Sequence, residues 1–314
     1  MSAPVTTTPP PDRLRLILAF AAVYIIWGST YLAVALVTAR LPPLFTSAVR
    51  FLVAGSLMYG YARARGIAPP TFRNWGAALL VGTLLLGVGN GTLAIAIQHI
   101  PTGVVALLIA SLPLWIVLLN WVAFARKRPG PRETAGVVLG LLGMTILIGP
   151  DRLQTGGGLH WVDVAILLAG TISWAIGTLA ARRTPLPASQ TLATAMQILA
   201  AGVVLVPASL LLEDWSVLPG HHWTLTEIGS MAYLIIFGSI VAFTCYAWLV
   251  QVAAPGLVST YAYVNPVVAL LLGALVLNEP VTGRSALAAA IIIGGVVLIT
   301  ARKRSAHSPS QSGK

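Results

Sequence analysis

The 314-residue sequence is 57% hydrophobic and only 9% charged, whereas a soluble domain carries about 25% charged residues to coat a surface that faces water. So little charge excludes a soluble globule and leaves most of the surface to face lipid. The formal net charge of +11 does not point to nucleic acid, because the Lys and Arg sit in short loops between apolar runs, as in the cytoplasmic loops of membrane proteins.

Apolar runs of about 20 residues, the length a helix needs to cross the hydrocarbon, recur along the chain. Residues 1–13 form a Pro- and Thr-rich tail expected to be disordered. The first run, 14–36, follows Arg13 and Arg15; it is too long for a signal-peptide core and lacks a cleavage site, so it reads as a retained helix. Leu41-Pro42-Pro43 opens the second run at 43–62, and Ala68-Pro69-Pro70 precedes the third at 75–98. His99-Ile100-Pro101 leaves room only for a tight hairpin before 102–124, and Pro129-Gly130-Pro131 opens 132–149. Gly156-Gly157-Gly158 precedes 160–182, and Pro185-Leu186-Pro187 precedes 188–212. The runs 226–251 and 255–277 meet at Ala253-Ala254-Pro255-Gly256, Glu279-Pro280 opens 281–301, and 305–314 is a second tail. The single cysteine, Cys245, excludes an intrachain disulfide and reads as a small packing residue.

These runs predict an all-α integral membrane protein of ten transmembrane helices. Of the 19 Lys and Arg, fifteen fall in one set of alternate loops and only Arg40, Arg152 and Arg284 in the other, with Arg50 inside a span. Basic loops face the cytoplasm, so both termini are expected there and the chain in the inner (plasma) membrane. Trp75, Trp121, Trp161, Trp215 and Trp223 fall at span ends, where amphipathic rings anchor at the interface.

The chain repeats itself. Residues 27–55 align without gaps on 174–202, pairing Trp27 with Trp174, Leu52 with Leu199 and Gly55 with Gly202. A second block pairs Gly103 and Pro113 with Gly256 and Pro266. The halves are expected at 1–149 and 150–304. Five spans is an odd number, so the second half inserts upside down, and the loops agree. Arg63, Arg65 and Arg73 between spans 2 and 3 correspond to Glu213, Asp214 and Glu227 between spans 7 and 8. Inverted repeats are a recurring design of secondary transporters.

The sequence Tyr24-Ile25-Ile26-Trp27-Gly28-Ser29-Thr30, Arg50-Phe51, Ser173-Trp174, the Pro-centred spans 4 and 9, and Asn278-Glu279-Pro280 before a glycine-rich span 10 together carry a resemblance. Over nearly the whole chain it resembles paired EamA domains of the drug/metabolite transporter superfamily, with an architecture similar to the aromatic amino-acid exporters. The resemblance implies a ten-helix transporter of small metabolites. One loop departs from the pattern: Arg126-Lys127-Arg128 stands where Asn278-Glu279-Pro280 stands in the second half.

A substrate site is expected at mid-membrane. Tyr24, Trp27 and Tyr31 fall at i, i+3 and i+7 and share a helix face; Thr171, Trp174 and Thr178 repeat that spacing, and Ser111 and Trp115 are i, i+4. Asn90, Tyr246, Trp248, Tyr261, Tyr263 and Asn265 complete the candidate lining. For Asn265, an amide offered to substrate and one satisfying a carbonyl freed by Pro266 weigh equally. Ring faces and neutral hydroxyls suit amphipathic, zwitterionic or aromatic solutes.

No Asp or Glu lies deep in a span, which disfavours a proton-driven cation or multidrug exporter working through a buried acid. Arg50, the one candidate buried charge, reads better as a structural pairing with helix-end carbonyls or Asp163 than as a substrate contact. Gly136, Gly140 and Gly143 in span 5 and Gly294 and Gly295 in span 10 mark close-packed supports at the periphery. The expectation is a secondary transporter that exports small metabolites, amino acids with aromatic ones among them, by alternating access. It needs no cofactor, metal or catalysis, its partners are the small-molecule solute and the lipid bilayer, and it works as a monomer. A channel-like facilitator and a dimer are the alternatives.

Overall fold

The computed structural model describes residues 12–124, 126, 128–148, 161–181, 183–253 and 261–300. These residues form helices and connecting turns: α1 Arg13–Thr38, α2 Pro43–Ala64, α3 Phe72–Ala96, α4 Thr102–Phe124, α5 Pro131–Ile148, α6 Trp161–Ala181, α7 Gln190–Leu212, α8 over 225–252, α9 Tyr261–Val276 and α10 Gly283–Thr300. They coincide with the apolar runs to within a turn wherever both ends are described. The N-terminus of α9 (254–260) and the loop at 149–160 lie outside the described residues. Six helices, α1, α3, α4, α6, α7 and α8, are long and apolar enough to cross a membrane, and α9 and α10 contain shorter apolar segments.

Local chemistry sets the boundaries. Asp12 caps α1 by accepting from the Leu14 amide at 3.1 Å, and Pro43 begins α2, where its missing N–H costs nothing. Thr71 with Asn74 and Thr224 with Glu227 form capping boxes at α3 and α8. Gly66 and Gly220 turn the chain with positive φ. Arg126 and Asn278 are the two non-glycine residues with positive φ among those described. Each stands two residues beyond the end of its helix, Arg126 after α4 and Asn278 after α9.

Large apolar side chains point outward, among them Leu57, Val203, Leu211 and Leu275, as a lipid-facing surface requires. The helix pairings follow a pattern: α2 packs on α7, α5 on α10, α4 on α9, α3 on α6 and α1 on α8. Exchanging each helix for the one five places away returns the same set. The α2–α7 crossing shows the symmetry at the residue level. A Cβ on Gly55 would lie 2.7 Å from the Leu199 nitrogen, and one on Gly202 would lie 2.8 Å from the Leu52 nitrogen. Residue i thus meets j while the mate of j meets the mate of i, the reciprocity of a two-fold contact. Gly136 and Gly140 pack within the bundle, against Gly295 of α10.

Several helices contain a π-helical turn: Val23–Trp27 in α1, Thr83–Val88 in α3, Asn120–Phe124 in α4 and Leu234–Val241 in α8. Such turns add a residue to the helix, re-aim side chains and free carbonyls. In α4 the helix also breaks at 110–111, ahead of Pro113.

The polar residues at one end of the bundle tie the helices before residue 149 to those after residue 160. Glu213 accepts from the Leu44 and Phe45 amides at the start of α2 (2.5 and 2.9 Å), and Glu279 accepts from the Thr102 amide and hydroxyl at the start of α4 (2.8 Å each). These carboxylates meet the unpaired N–H groups and positive dipole end of each helix. Asp163 pairs with His99 at 3.2 Å. Buried Glu227 accepts from Thr224 and contacts His221, and Arg40 approaches its other oxygen to 3.8 Å. At the opposite end, Arg15 lies over Trp248 and Arg183 over Phe124.

Candidate functional site

A cavity lies at the centre of the bundle. Its walls come from α1 (Trp27, Thr30, Tyr31), α2 (Arg50, Phe51), α3 (Leu86, Gly89, Asn90, Leu93), α4 (Ile109, Leu112), α6 (Gly170, Thr171, Trp174), α7 (Ile198), α8 (Gly238, Ser239, Phe243) and α9 (Tyr261, Asn265). Neither α5 nor α10 contributes, which agrees with a peripheral place for that pair.

The aromatic wall centres on Trp27. Its ring meets Tyr246 at 4.9 Å, Tyr261 at 5.3 Å and, edge to face, Trp174 at 6.3 Å. The indole N–H of Trp27 donates to the Gly238 carbonyl at 3.2 Å. Gly238 lies in the π-turn of α8, so the turn supplies the acceptor that fixes this ring. The opposite half does the same with a different donor: Ser173 Oγ of α6 donates to the Leu84 carbonyl in the π-turn of α3 at 2.8 Å. The Trp174 indole N–H is buried without a hydrogen-bond partner. An unmade buried bond of this kind is costly and uncommon.

The hydroxyls are partly engaged. Thr30 donates to the Trp27 carbonyl at 2.7 Å and Thr171 to the Leu167 carbonyl at 2.9 Å, which leaves their oxygens as acceptors. The Asn265 amide donates to the carbonyls of Tyr24 and Tyr261 at 3.2 Å each. Its hydrogen-bonding therefore joins α9 to the π-turn of α1; neither acceptor is the Ala262 carbonyl that Pro266 leaves without its donor.

Of the residues singled out from the sequence, Trp27, Tyr31, Asn90, Thr171, Trp174, Tyr261 and Asn265 line the cavity, and Tyr246 backs it through Trp27. Others lie elsewhere. Ser111 and Trp115 do form the expected i, i+4 pair, but their 3.1 Å hydrogen bond is to each other and Ser111 is fully buried. Thr178 bonds back to the Trp174 carbonyl, Tyr24 packs on Phe20, and Trp248 carries Arg15 at the bundle end. The Tyr263 side chain lies outside the described residues.

Arg50 was not among the sequence-selected lining residues, yet it lies in the cavity wall, 7% exposed. Its Nε donates to Ser239 Oγ at 2.7 Å and its guanidinium lies over the Phe51 ring at 5.0 Å. The partner expected from the sequence, Asp163, pairs with His99 instead. Among the described residues no Asp or Glu lines the cavity. Ser239, Gly238 and Phe243 also went unselected, because an apolar run gives no sign of the π-turn that turns them inward.

Helices of membrane-crossing length around a central ring-walled cavity define a class, the multi-pass membrane transporters, and the comparisons make it specific. A model of the EamA-like transporter family matches residues 14–149 and again residues 161–301. The chain belongs to this family. It is 38% identical over 286 residues, 91% of this chain and 90% of the relative, to the uncharacterized inner membrane transporter YedA of Escherichia coli. It is 28% identical over 277 residues to protein PecM of Dickeya dadantii, covering 87% of this chain and 88% of PecM. It is also 25% identical over 290 residues to a probable amino-acid metabolite efflux pump of Escherichia coli, covering 88% and 91%. A solved crystal structure shares the fold with a TM-score of 0.64 at 22% identity, across 91% of this chain and 97% of that one. The chain is thus a multi-pass transporter of the inner membrane.

Proposed function

We propose that this chain is a secondary transporter that exports small metabolites, amino acids and in particular aromatic ones, by exposing its central cavity to each side of the membrane in turn. The observation that carries the reading is the cavity itself: rings, hydroxyls and an amide enclose it between the two family-matched segments. Apolar walls with a few placed polar groups suit an amphipathic solute of amino-acid size. The relative described as a probable amino-acid metabolite efflux pump supports the same solute class.

The proposed architecture is ten spans in two inverted halves, 1–149 and 150–304, with both termini cytoplasmic and a monomer as the working unit. The reciprocal packing of Gly55 on Leu199 and Gly202 on Leu52 supports it, because two equivalent halves give inward- and outward-open states of similar energy. The inter-half contacts of Glu213, Glu279, Asp163 and Glu227 are then the ties that part when the cavity opens at their end. A proton-driven exporter of cations is the weaker reading, since among the described residues no carboxylate lines the cavity for a proton and a cation to exchange on.

Purified protein in liposomes, offered a panel of amino acids, organic cations and sugars with and without a proton gradient, tests the reading. Movement of aromatic amino acids is the expected result. Movement of organic cations alone, driven by the gradient, would contradict it.

A further inference from the structure

We infer that the cavity recognises its solute by a carboxylate group, held by the free edge of the Arg50 guanidinium with the Trp174 indole N–H as a second donor. This inference rests on the transport reading and names the substrate class: aromatic or amphipathic solutes bearing a carboxylate.

A guanidinium inside a membrane protein is expensive unless a counter-charge or a full set of acceptors meets it. Arg50 is 7% exposed and has neither. Its Nε is occupied by Ser239 Oγ at 2.7 Å, and its face rests on Phe51. Among the described residues its two Nη groups make no hydrogen bond and no ion pair. The seat is built rather than incidental. Gly238, next to Ser239 in the α8 π-turn, leaves room that a side chain would take: a Cβ there would lie 3.0 Å from Arg50 Nη2. One turn of α8 therefore admits the guanidinium at Gly238, orients it at Ser239, and fixes the Trp27 ring through the Gly238 carbonyl.

Trp174, which lines the same wall, carries a buried N–H without an acceptor. An anion supplies what both lack. A carboxylate offers Arg two parallel acceptors in a fork-to-fork geometry that a neutral amide or hydroxyl cannot reproduce, and it neutralises the guanidinium in a cavity that no acid lines among the described residues. The charge lies on one side only. The repeat mate of Arg50 is Gln197, whose Nε2 donates to the Ala193 carbonyl of its own helix at 3.1 Å. A solute is thus oriented, carboxylate towards Arg50 of α2 and Trp174 of α6 and apolar part towards the rings of α1 and α9.

The test uses full-length protein in detergent, with binding followed by intrinsic tryptophan fluorescence. The probes are phenylalanine, 3-phenylpropionate and phenylalaninamide, which share a ring while the last lacks the carboxylate. The wild type is expected to bind both carboxylates at least about tenfold more tightly than the amide. Arg50→Lys keeps the charge without the fork and is expected to retain part of that preference; Arg50→Gln removes it, bringing the ratio to about one. Trp174→Phe keeps a ring and removes the N–H. It is expected to weaken the carboxylates by about three- to tenfold and leave the amide unchanged. Each variant is first shown to be monodisperse with wild-type helical content. If Arg50→Gln fails that criterion, Arg50→Lys and Trp174→Phe decide. Equal wild-type affinity for phenylalanine and its amide, full discrimination in these variants, or no binding of any probe overturns the inference. Liposome transport run in parallel separates the two claims: transport without carboxylate preference sinks this inference alone, whereas its absence for every solute sinks the functional reading.

Discussion

Trp27 and Trp174 occupy matching places in the two halves yet meet their surroundings differently, one hydrogen-bonded to Gly238 and the other unpaired. Trp27→Phe keeps most of the ring contacts and loses only the bond to α8. The expected outcome is a loss of about 1 kcal/mol in stability and a several-fold lower initial transport rate, measured by melting in detergent and by liposome flux. Unchanged flux would move Trp27 from the site to the packing core. At the bundle end, Glu213→Gln keeps an acceptor but loses the charge that faces the α2 dipole. It is expected to cost on the order of 1 kcal/mol, read as a lower melting temperature. At this scale the periodic faces brought Trp27, Tyr31, Thr171 and Trp174 to the cavity wall but not Tyr24 or Thr178, which share those faces. The sequence misled where the partner is chosen by tertiary packing: Asp163 is reached by His99 rather than Arg50, and Ser111 turns to Trp115 rather than to the cavity.

Helix existence and boundaries were legible at the element scale because proline, glycine and capping residues punctuate the apolar runs. The π-turns were not. A π-turn changes the register of a helix by one residue without changing its composition, so Gly238 and Ser239 look like any apolar-run residues until the turn of α8 places them. Glycine spacing was more informative. Gly55→Leu or Gly202→Leu places a side chain against the backbone of the partner helix, 2.7 and 2.8 Å away at Cβ. Each is expected to cost about 3 kcal/mol or more and to sharply reduce the yield of folded protein in the membrane. Gly76→Ala, where nothing lies within 4 Å of the added carbon, is the control expected to leave yield and melting unchanged. Equal behaviour of all three would remove the α2–α7 crossing from the structural account.

At the scale of the whole molecule, two properties of the sequence carry most of the information: the one-sided distribution of Lys and Arg, and the weak internal repeat. Together they predicted two equivalent halves, and the helix pairings form a set that is unchanged when each helix is exchanged for the one five places away. Fusion of a cytoplasm-specific fluorescent reporter and a periplasm-specific phosphatase to either terminus is expected to give fluorescence and no phosphatase activity; an active phosphatase at the C-terminus would break the ten-span proposal. The cavity's solute was less legible, because its shape depends on helix ends, π-turns and one buried arginine that come together only in the folded bundle.

The central claim is that one cavity serves both sides of the membrane by turns, and counterflow tests it most directly. Liposomes preloaded with unlabelled phenylalanine and placed in a trace of labelled phenylalanine are predicted to accumulate label transiently above the outside concentration, with the overshoot abolished in Arg50→Gln. Simple equilibration at a rate indifferent to the internal solute, accompanied by single-channel currents, would contradict alternating access and make the protein a channel.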